Sequence, residues 1–364
     1  MTNDEKKGLG TQELTNVSVK RDDDRWEVEV KAEIPAAALE YHRAEALKEM
    51  QRTAKLDGFR PGKAPIERII AIYGEAAILK HAAEHAIQHE LPELLAKESL
   101  LVIESPRVTT ETPVSGKSLA FTARAALAPK IELADYKKQA AEQNAKKEDT
   151  SVSDEEHAQA LIHLRRERAR IDKVETGVEP QKAHEDAHKM EEKDLPELDD
   201  VFVQSLGYKS TDEFSEKLRE SLGSEKERQA KEKRRSAILD ALVKDSKISY
   251  PAILREYELD DMEARLKDDL SRMGRTLEDY LAEVKKTREE LRKEWRDAAD
   301  KRAKIRLTLA EIARTENIDA DAEKVAHELE HARQHYPQAN PENLRANIAH
   351  AMRNDAVLNW LESL

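Results

Sequence analysis

The stretch Asp57-Gly58-Phe59-Arg60-Pro61-Gly62-Lys63-Ala64-Pro65 interrupts a chain otherwise rich in helix formers, and its reading decides the fold. Two glycines and two prolines in nine residues exclude a continuous helix or a central strand. Gly58 and Gly62 can take positive φ and Pro61 fixes its own φ, so the loop is bent yet partly stiff. One large aromatic, Phe59, and two cations, Arg60 and Lys63, fall at its tip. An aromatic beside a guanidinium on a stiff tip suits docking to an RNA-rich or acidic surface. The other reading is a tight helix–helix connection whose Phe59 tucks back into the core, and composition alone favours it.

The flanking sequence supplies the setting. Val17 and Val19 alternate with polar residues, Arg21-Asp22-Asp23-Asp24 makes a polar turn, and Trp26, Val28, Val30, Ala32 and Ile34 alternate strictly. That is a hairpin with one half-buried face. After Pro35, Leu39, Ala46, Leu47, Met50 and Ala54 recur at helical spacing and lead into the loop. Pro65 suits a first helical position, and Ile66, Ile69, Ile70 and Tyr73 form a short stripe ended by Gly74. A longer helix is expected over 75–97, with Pro92 inside it. Strands are expected at 101–103 and 119–127. The order strand-strand-helix-loop-helix-helix-strand-strand predicts a small α+β domain over 1–136.

Gly58-Phe59-Arg60-x-Gly62-Lys63-x-Pro65 resembles the signature loop of the bacterial trigger factor family, and so does its place between two helices. The resemblance implies a ribosome-binding domain in which Phe59 and Arg60 touch the ribosome. Pro61 stands where that family carries a lysine, which leaves Lys63 as the supporting cation. It also covers the later chain, where Asp194-Leu195-Pro196-Glu197-Leu198, Val201-Phe202 and Gly207 look like the entry to the family's helical domain.

Between these parts, 137–194 reads as a linker with one helix. Residues 139–150 are polar, Ser153-x-x-Glu156 is a capping box, and the helix behind it carries Leu161, Leu164 and Ile171 to about Asp172. In the family an FKBP-like prolyl isomerase domain follows such a helix. Here 173–194 offers only Val174, Val178 and Met190 as large apolar side chains and no aromatic. A domain needs roughly 50 residues and its own core, so the isomerase domain is expected to be absent. From 195 to 364 helices follow one another, with starts at Ser210, Pro251, Thr287 and Asn340 and a nearly all-charged run at 223–236. Narrow stripes with charged opposite faces read as helix pairs forming arms.

Composition excludes several classes. A chain of 364 residues exceeds one typical core. With 38% charged and 4% aromatic residues, it should be mostly α and elongated, an α+β N-terminal domain followed by a mainly α-helical C-terminal domain. A net charge of −13 argues against binding nucleic acid through bulk charge, so any ribosome contact must be local and basic. With no cysteine, thiol catalysis, disulfides and Cys-based zinc sites are out. No apolar run follows the first residues, so neither a signal peptide nor a transmembrane span is expected and the cytoplasm is the expected location.

Three His patterns invite a zinc reading. His184-Glu185-Asp186-Ala187-His188 and His327-Glu328-Leu329-Glu330-His331 fit H-E-x-x-H, and His81-Ala82-Ala83-Glu84-His85 fits the inverted form. Such spacing puts two imidazoles on one helical face, as two zinc ligands need. Against it stand the 12 His and abundant Glu of the chain, which produce such matches easily. Asp186 and Glu330 at inner positions also suit a dry catalytic helix poorly. The basic run Lys231, Lys233, Arg234, Arg235 is interleaved with Glu225, Glu227 and Glu232 and reads as a solvated, ion-paired helix. No phosphate loop of the G-x-x-x-x-G-K-[ST] type occurs.

The expected function is therefore an ATP-independent, ribosome-associated holdase with no cofactor, no metal and no catalytic residue. Its expected partners are the ribosome next to the exit tunnel and unfolded nascent polypeptides, with no DNA and no membrane; a homodimer stays open. The expected site is Gly58, Phe59, Arg60, Gly62 and Lys63. The alternatives are a ribosome-independent chaperone resembling periplasmic parvulin-type chaperones, and a zinc metallopeptidase.

Overall fold

The computed structural model describes residues 14–54, 56, 59–60, 62–146 and 148–364. It divides into two compact units, each drawn from two stretches of chain: one from residues up to Leu133 with Ser246–Glu311, the other from Ala134–Asp245 with Ile312–Leu364. The sequence-based division at 136 and 194 follows chain order, whereas compactness groups 246–311 with the N-terminal residues.

The first unit is built on a four-stranded antiparallel sheet. Strands β1 (Thr15–Asp22), β2 (Glu27–Ile34), β3 (Arg107–Thr110) and β4 (Leu119–Ala126) lie in the order β1-β2-β4-β3. The turn between β1 and β2 is closed by Asp22, whose Oδ1 accepts from the N–H groups of Asp24 and Arg25 at 3.1 and 3.0 Å. Alternation puts Val28, Val30, Ala32 and Ile34 of β2 and Leu119, Phe121, Ala123 and Ala125 of β4 on one buried face. Helices α1 (Ala36–Thr53) and α3 (Glu75–Lys97) supply the rest of that core through Ala38, Leu39, Ala46, Ala82, Ala86, Ile87 and Leu91. Between them α2 (Ile66–Tyr73) starts after Pro65 and ends at Gly74, whose φ of 77° suits glycine. Pro65 is thus the residue before the helix, one position earlier than the sequence expectation.

The strand expected at 101–103 is a single bridge, Val102 to Leu127, and Leu101 is 75% exposed. The fourth strand is β3 instead. Pro106 has no N–H for a ladder, so pairing along β4 breaks there and resumes at Arg107. All four β3 residues are exposed, which hid the strand from a pattern reading.

The same unit holds a second, two-stranded sheet, β5 (Lys130–Glu132) with β6 (Lys247–Ser249), paired antiparallel in the register Ile131 to Ile248. Helices α9 (Ala252–Arg272), α10 (Leu277–Val284) and α11 (Arg288–Glu316) follow. The expected start of α11 at Thr287 is a capping box, Thr287 accepting from Glu290 N–H and Glu290 from Thr287 N–H. Along α9 and α11 two buried carboxylates are ringed by cations. Glu258 accepts from Arg302 and Arg306, each at 3.1 Å. Glu263 accepts from Arg288 and Arg292 at 2.9 and 3.1 Å and forms an ion pair with Lys267 at 2.9 Å. Burial would raise the Glu263 carboxyl, but those hydrogen bonds outweigh it and hold it at about 2.

The second unit is helical. Three helices occupy 137–194, where one was expected: α4 (Tyr136–Asn144), α5 (Asp154–Glu175) and α6 (Pro180–Lys189). Alanine explains the difference. Ala140 of α4 is fully buried, and Ala183 and Ala187 of α6 pack toward α5 at Ala169, so these helices contribute small methyl groups to the core. Asp135 caps α4 and Pro180 opens α6 at its first turn. Ser153 and Glu156 form the expected capping box of α5. Arg165 of α5 donates to the carbonyls of Leu195 and Pro196 at 2.7 and 3.0 Å, tying down the segment behind α6. Then come α7 (Asp200–Ser205), the unbroken α8 (Thr211–Asp245), α12 (Ala322–His335) and α13 (Pro341–Glu362). The charged middle of α8 carries ladder pairs such as Arg228 with Glu225 and Glu232. Among the described residues no helix is long and apolar enough to cross a membrane.

Candidate functional site

The loop after α1 has an anchored base and an exposed tip. Ala54 and Ala64, on its two limbs, are buried with Leu47, Ile69 and Ile78, and Met50, Leu56 and Ile70 pack against them. That cluster joins α1, α2 and α3 beneath the loop. Two turns shape the tip: Phe59 N–H donates to the Leu56 carbonyl at 3.1 Å, and Lys63 N–H to the Arg60 carbonyl at 3.0 Å. Gly62 has φ 81°, which aims its N–H back at the Gln51 carbonyl of α1, 3.1 Å away. A Cβ there would lie 4.0 Å from the Arg52 Cα, so the position demands glycine for its φ and not for space. The Gln51 amide donates to the Ala64 carbonyl at 2.6 Å.

Four of the five expected site residues thus sit together. Phe59 is 39% exposed, and Arg60 and Lys63 are exposed. No carboxylate among the described residues pairs with Arg60 or Lys63. Gly58, the fifth, lies outside the described residues, as does Pro61. Phe59 is not part of the buried cluster under the loop, which Leu47, Ala54, Ala64, Ile69 and Ile78 form. An apolar ring and two cations that no described carboxylate pairs, at the end of a stapled loop, can bind a surface that offers an apolar pocket and negative charge.

The three His patterns fall on helices α6, α12 and α3. His184 and His188 lie on α6 with ring centroids 6.0 Å apart, and His331 and His335 lie 5.1 Å apart on α12. His81 faces Glu49 at 3.5 Å on the surface. Among the described residues no group of three or more His, Asp or Glu side chains is arranged to hold a metal ion. The sequence reading missed a buried histidine. His42 of α1 is 2% exposed and meets His85 of α3 with 3.1 Å between their Nδ1 atoms. Its Nε2 faces Glu90 Oε1 at 3.8 Å. Burial, with His85 and His89 adding to it, lowers the His42 imidazole to about 4. Its polar side chain interrupts an otherwise apolar stripe, which is the signal that marks it in the sequence.

Apolar surface is spread over both units. In the first, an open groove of about 1010 Å³ between α3 and 102–113 is floored by Ile87, Leu91, Leu95, Val102, Ile103 and Val108. Tyr257 and Met273 are exposed on α9 and just beyond it. In the second, Ile171, Val201, Leu206 and Tyr336 are exposed.

Two family models match the chain: bacterial trigger factor protein over residues 15–164, and bacterial trigger factor protein C-terminus over residues 210–361. No prolyl isomerase domain model matches it. The trigger factor of Halalkalibacterium halodurans is 25% identical and aligns over 81% of this chain and 84% of its own length. That of Caldicellulosiruptor bescii is 26% identical, over 76% and 78%. That of Bacillus subtilis is 25% identical, over 83% and 87%. A solved structure, described as the trigger factor chaperone, aligns over 95% of this chain and 99% of its own at 15% identity, with a TM-score of 0.48.

Proposed function

Because this chain belongs to the trigger factor family, we propose that it docks at the ribosome through the exposed tip Phe59, Arg60 and Lys63. It is a ribosome-associated chaperone that receives nascent polypeptides. In this proposal Gly58 and Gly62 give the loop its bend, the ring of Phe59 enters an apolar pocket, and Arg60 bonds carboxylate or phosphate oxygens in bidentate fashion. The observation that carries it is the contrast between a loop base stapled to α1 and a tip with an exposed ring and exposed cations. The domains proposed are 1–136 for ribosome binding, 137–194 as connection without an isomerase, and 195–364 for clients, with Lys247–Ser249 also pairing back onto β5. Holding then runs without ATP and without proline isomerisation, in the cytoplasm, on the exposed apolar side chains of both units. Neither DNA nor membrane is a partner in this proposal.

The test is co-sedimentation of the wild type and of Phe59→Ala/Arg60→Ala with ribosomes, after circular dichroism shows both are folded. The double variant should be lost from the ribosome pellet. Equal binding by the two would leave the loop as a structural turn only.

A further inference from the structure

The last turn of a helix leaves carbonyls without intrahelical partners. In α1 one of these, Gln51 C=O, is satisfied from across the loop by the Gly62 N–H at 3.1 Å. The side chain of the same residue reaches two positions further, its Nε2 donating to the Ala64 carbonyl at 2.6 Å. Gln51 therefore bridges both sides of Lys63 with two hydrogen bonds. The side-chain bond is half-buried and lies beside Ala54 and Ala64, where water competes little. Within the loop itself, only the two short-range turns from Leu56 to Phe59 and from Arg60 to Lys63 join described residues.

We infer that Gln51 is a positioning residue for ribosome docking: its side-chain amide holds the returning limb of the loop so that Phe59, Arg60 and Lys63 are presented together. The inference rests on the docking reading above. Glutamine is the chemistry the position needs. Asparagine is one methylene too short to reach Ala64, leucine has no donor, and glutamate sets an acceptor against the carbonyl. Without the amide bond the loop samples more conformations, and the apparent dissociation constant rises by the inverse of the fraction still competent. A single net hydrogen bond of this kind corresponds to roughly three- to tenfold in affinity.

The full-length protein tests this with Gln51→Leu and Gln51→Glu, measured for ribosome affinity at pH 7.5 and pH 6, beside Phe59→Ala/Arg60→Ala. Circular dichroism and urea midpoints check folding, and the near-isosteric Gln51→Glu carries the test if Gln51→Leu is unstable. Both Gln51 variants should bind roughly three- to tenfold more weakly than the wild type at pH 7.5. A half-buried carboxyl facing a carbonyl titrates above its usual range. Once protonated it donates to Ala64, so Gln51→Glu should approach wild-type affinity at pH 6 while Gln51→Leu should not. A role confined to general stability would not produce that recovery. Wild-type affinity in both variants, or a deficit in Gln51→Glu independent of pH, overturns the inference while the docking reading stands. Undiminished binding by the Phe59/Arg60 double variant overturns both.

Discussion

In the proposed docking, Phe59 and Arg60 set the scale of the binding energy. Burying an aromatic side chain contributes roughly 1.5–3 kcal/mol, and a hydrogen bond to a charged group about as much. Replacing both by alanine should then weaken ribosome binding by about 3–6 kcal/mol, or roughly two to four decades, with the upper figure reached only if the two act independently. Affinity titrations should also show the wild type weakening as salt rises. A second residue-scale effect comes from His42, whose folded value of about 4 lies below the ordinary value of 6.5. The unfolded chain therefore takes up a proton first as pH falls, and stability is lost between 6.5 and 4. Over pH 7 to 5 His42 should remove about 2 kcal/mol. Glu90, raised by burial, works in the opposite direction, and His85, His89 and Glu45 surround the pair. Urea unfolding of the wild type and of His42→Leu at both pH values should show the smaller loss in the variant. An equal loss in both would assign the acid sensitivity to other groups. The loop tip was legible in the sequence because glycine and proline act locally. The contacts of Gln51 and His42 were not, since their partners lie 13 and 43 residues away and are brought near only by packing.

Among the elements, capped helices could be read from sequence and alanine-packed ones could not. Ser153, Thr287 and Asn340 announce α5, α11 and α13 through hydrogen bonds made within three residues. By contrast α4 and α6 bury methyl groups of alanine among charged residues, and β3 buries nothing. Hydrophobic period is silent for all three. The pair α9 and α11 shows a different device, with Glu263 surrounded by Lys267, Arg288 and Arg292. Breaking a buried pair costs about 3–5 kcal/mol, and the low end applies because Lys267 and Arg288 stay in water. Glu263→Gln should thus lower the unfolding free energy by about 3 kcal/mol at pH 7. Its folded value of about 2 is below the ordinary value of 4.5, so the stabilisation is complete above 4.5 and fades as pH falls toward 2. The urea midpoints of wild type and variant should converge across that window; a constant gap would trace the loss to packing.

At the scale of the whole molecule, the proposed function is holding without catalysis. The full-length protein should slow aggregation of a denatured model protein without added nucleotide, and should leave the rate of a protease-coupled proline-peptide assay at its background value. A large rate enhancement that co-purifies with the chain would refute the second half. The family assignment was legible because the loop and the Leu195–Leu198 entry keep their residue types in order; the grouping of 246–311 with the N-terminal residues was not, since nothing local in β6 marks its partner. That pairing has a consequence for the protein's own synthesis. Residues of β5 leave the ribosome long before those of β6, with Lys247 following Glu132 by 115 positions. At about 5–20 residues per second the wait is roughly 6–23 s. For that time the first unit is missing a strand and three helices, and β5 has an open edge in a crowded compartment. A chaperone for unfinished chains must thus itself pass through an unfinished state, longer-lived than that of a domain made from one continuous segment.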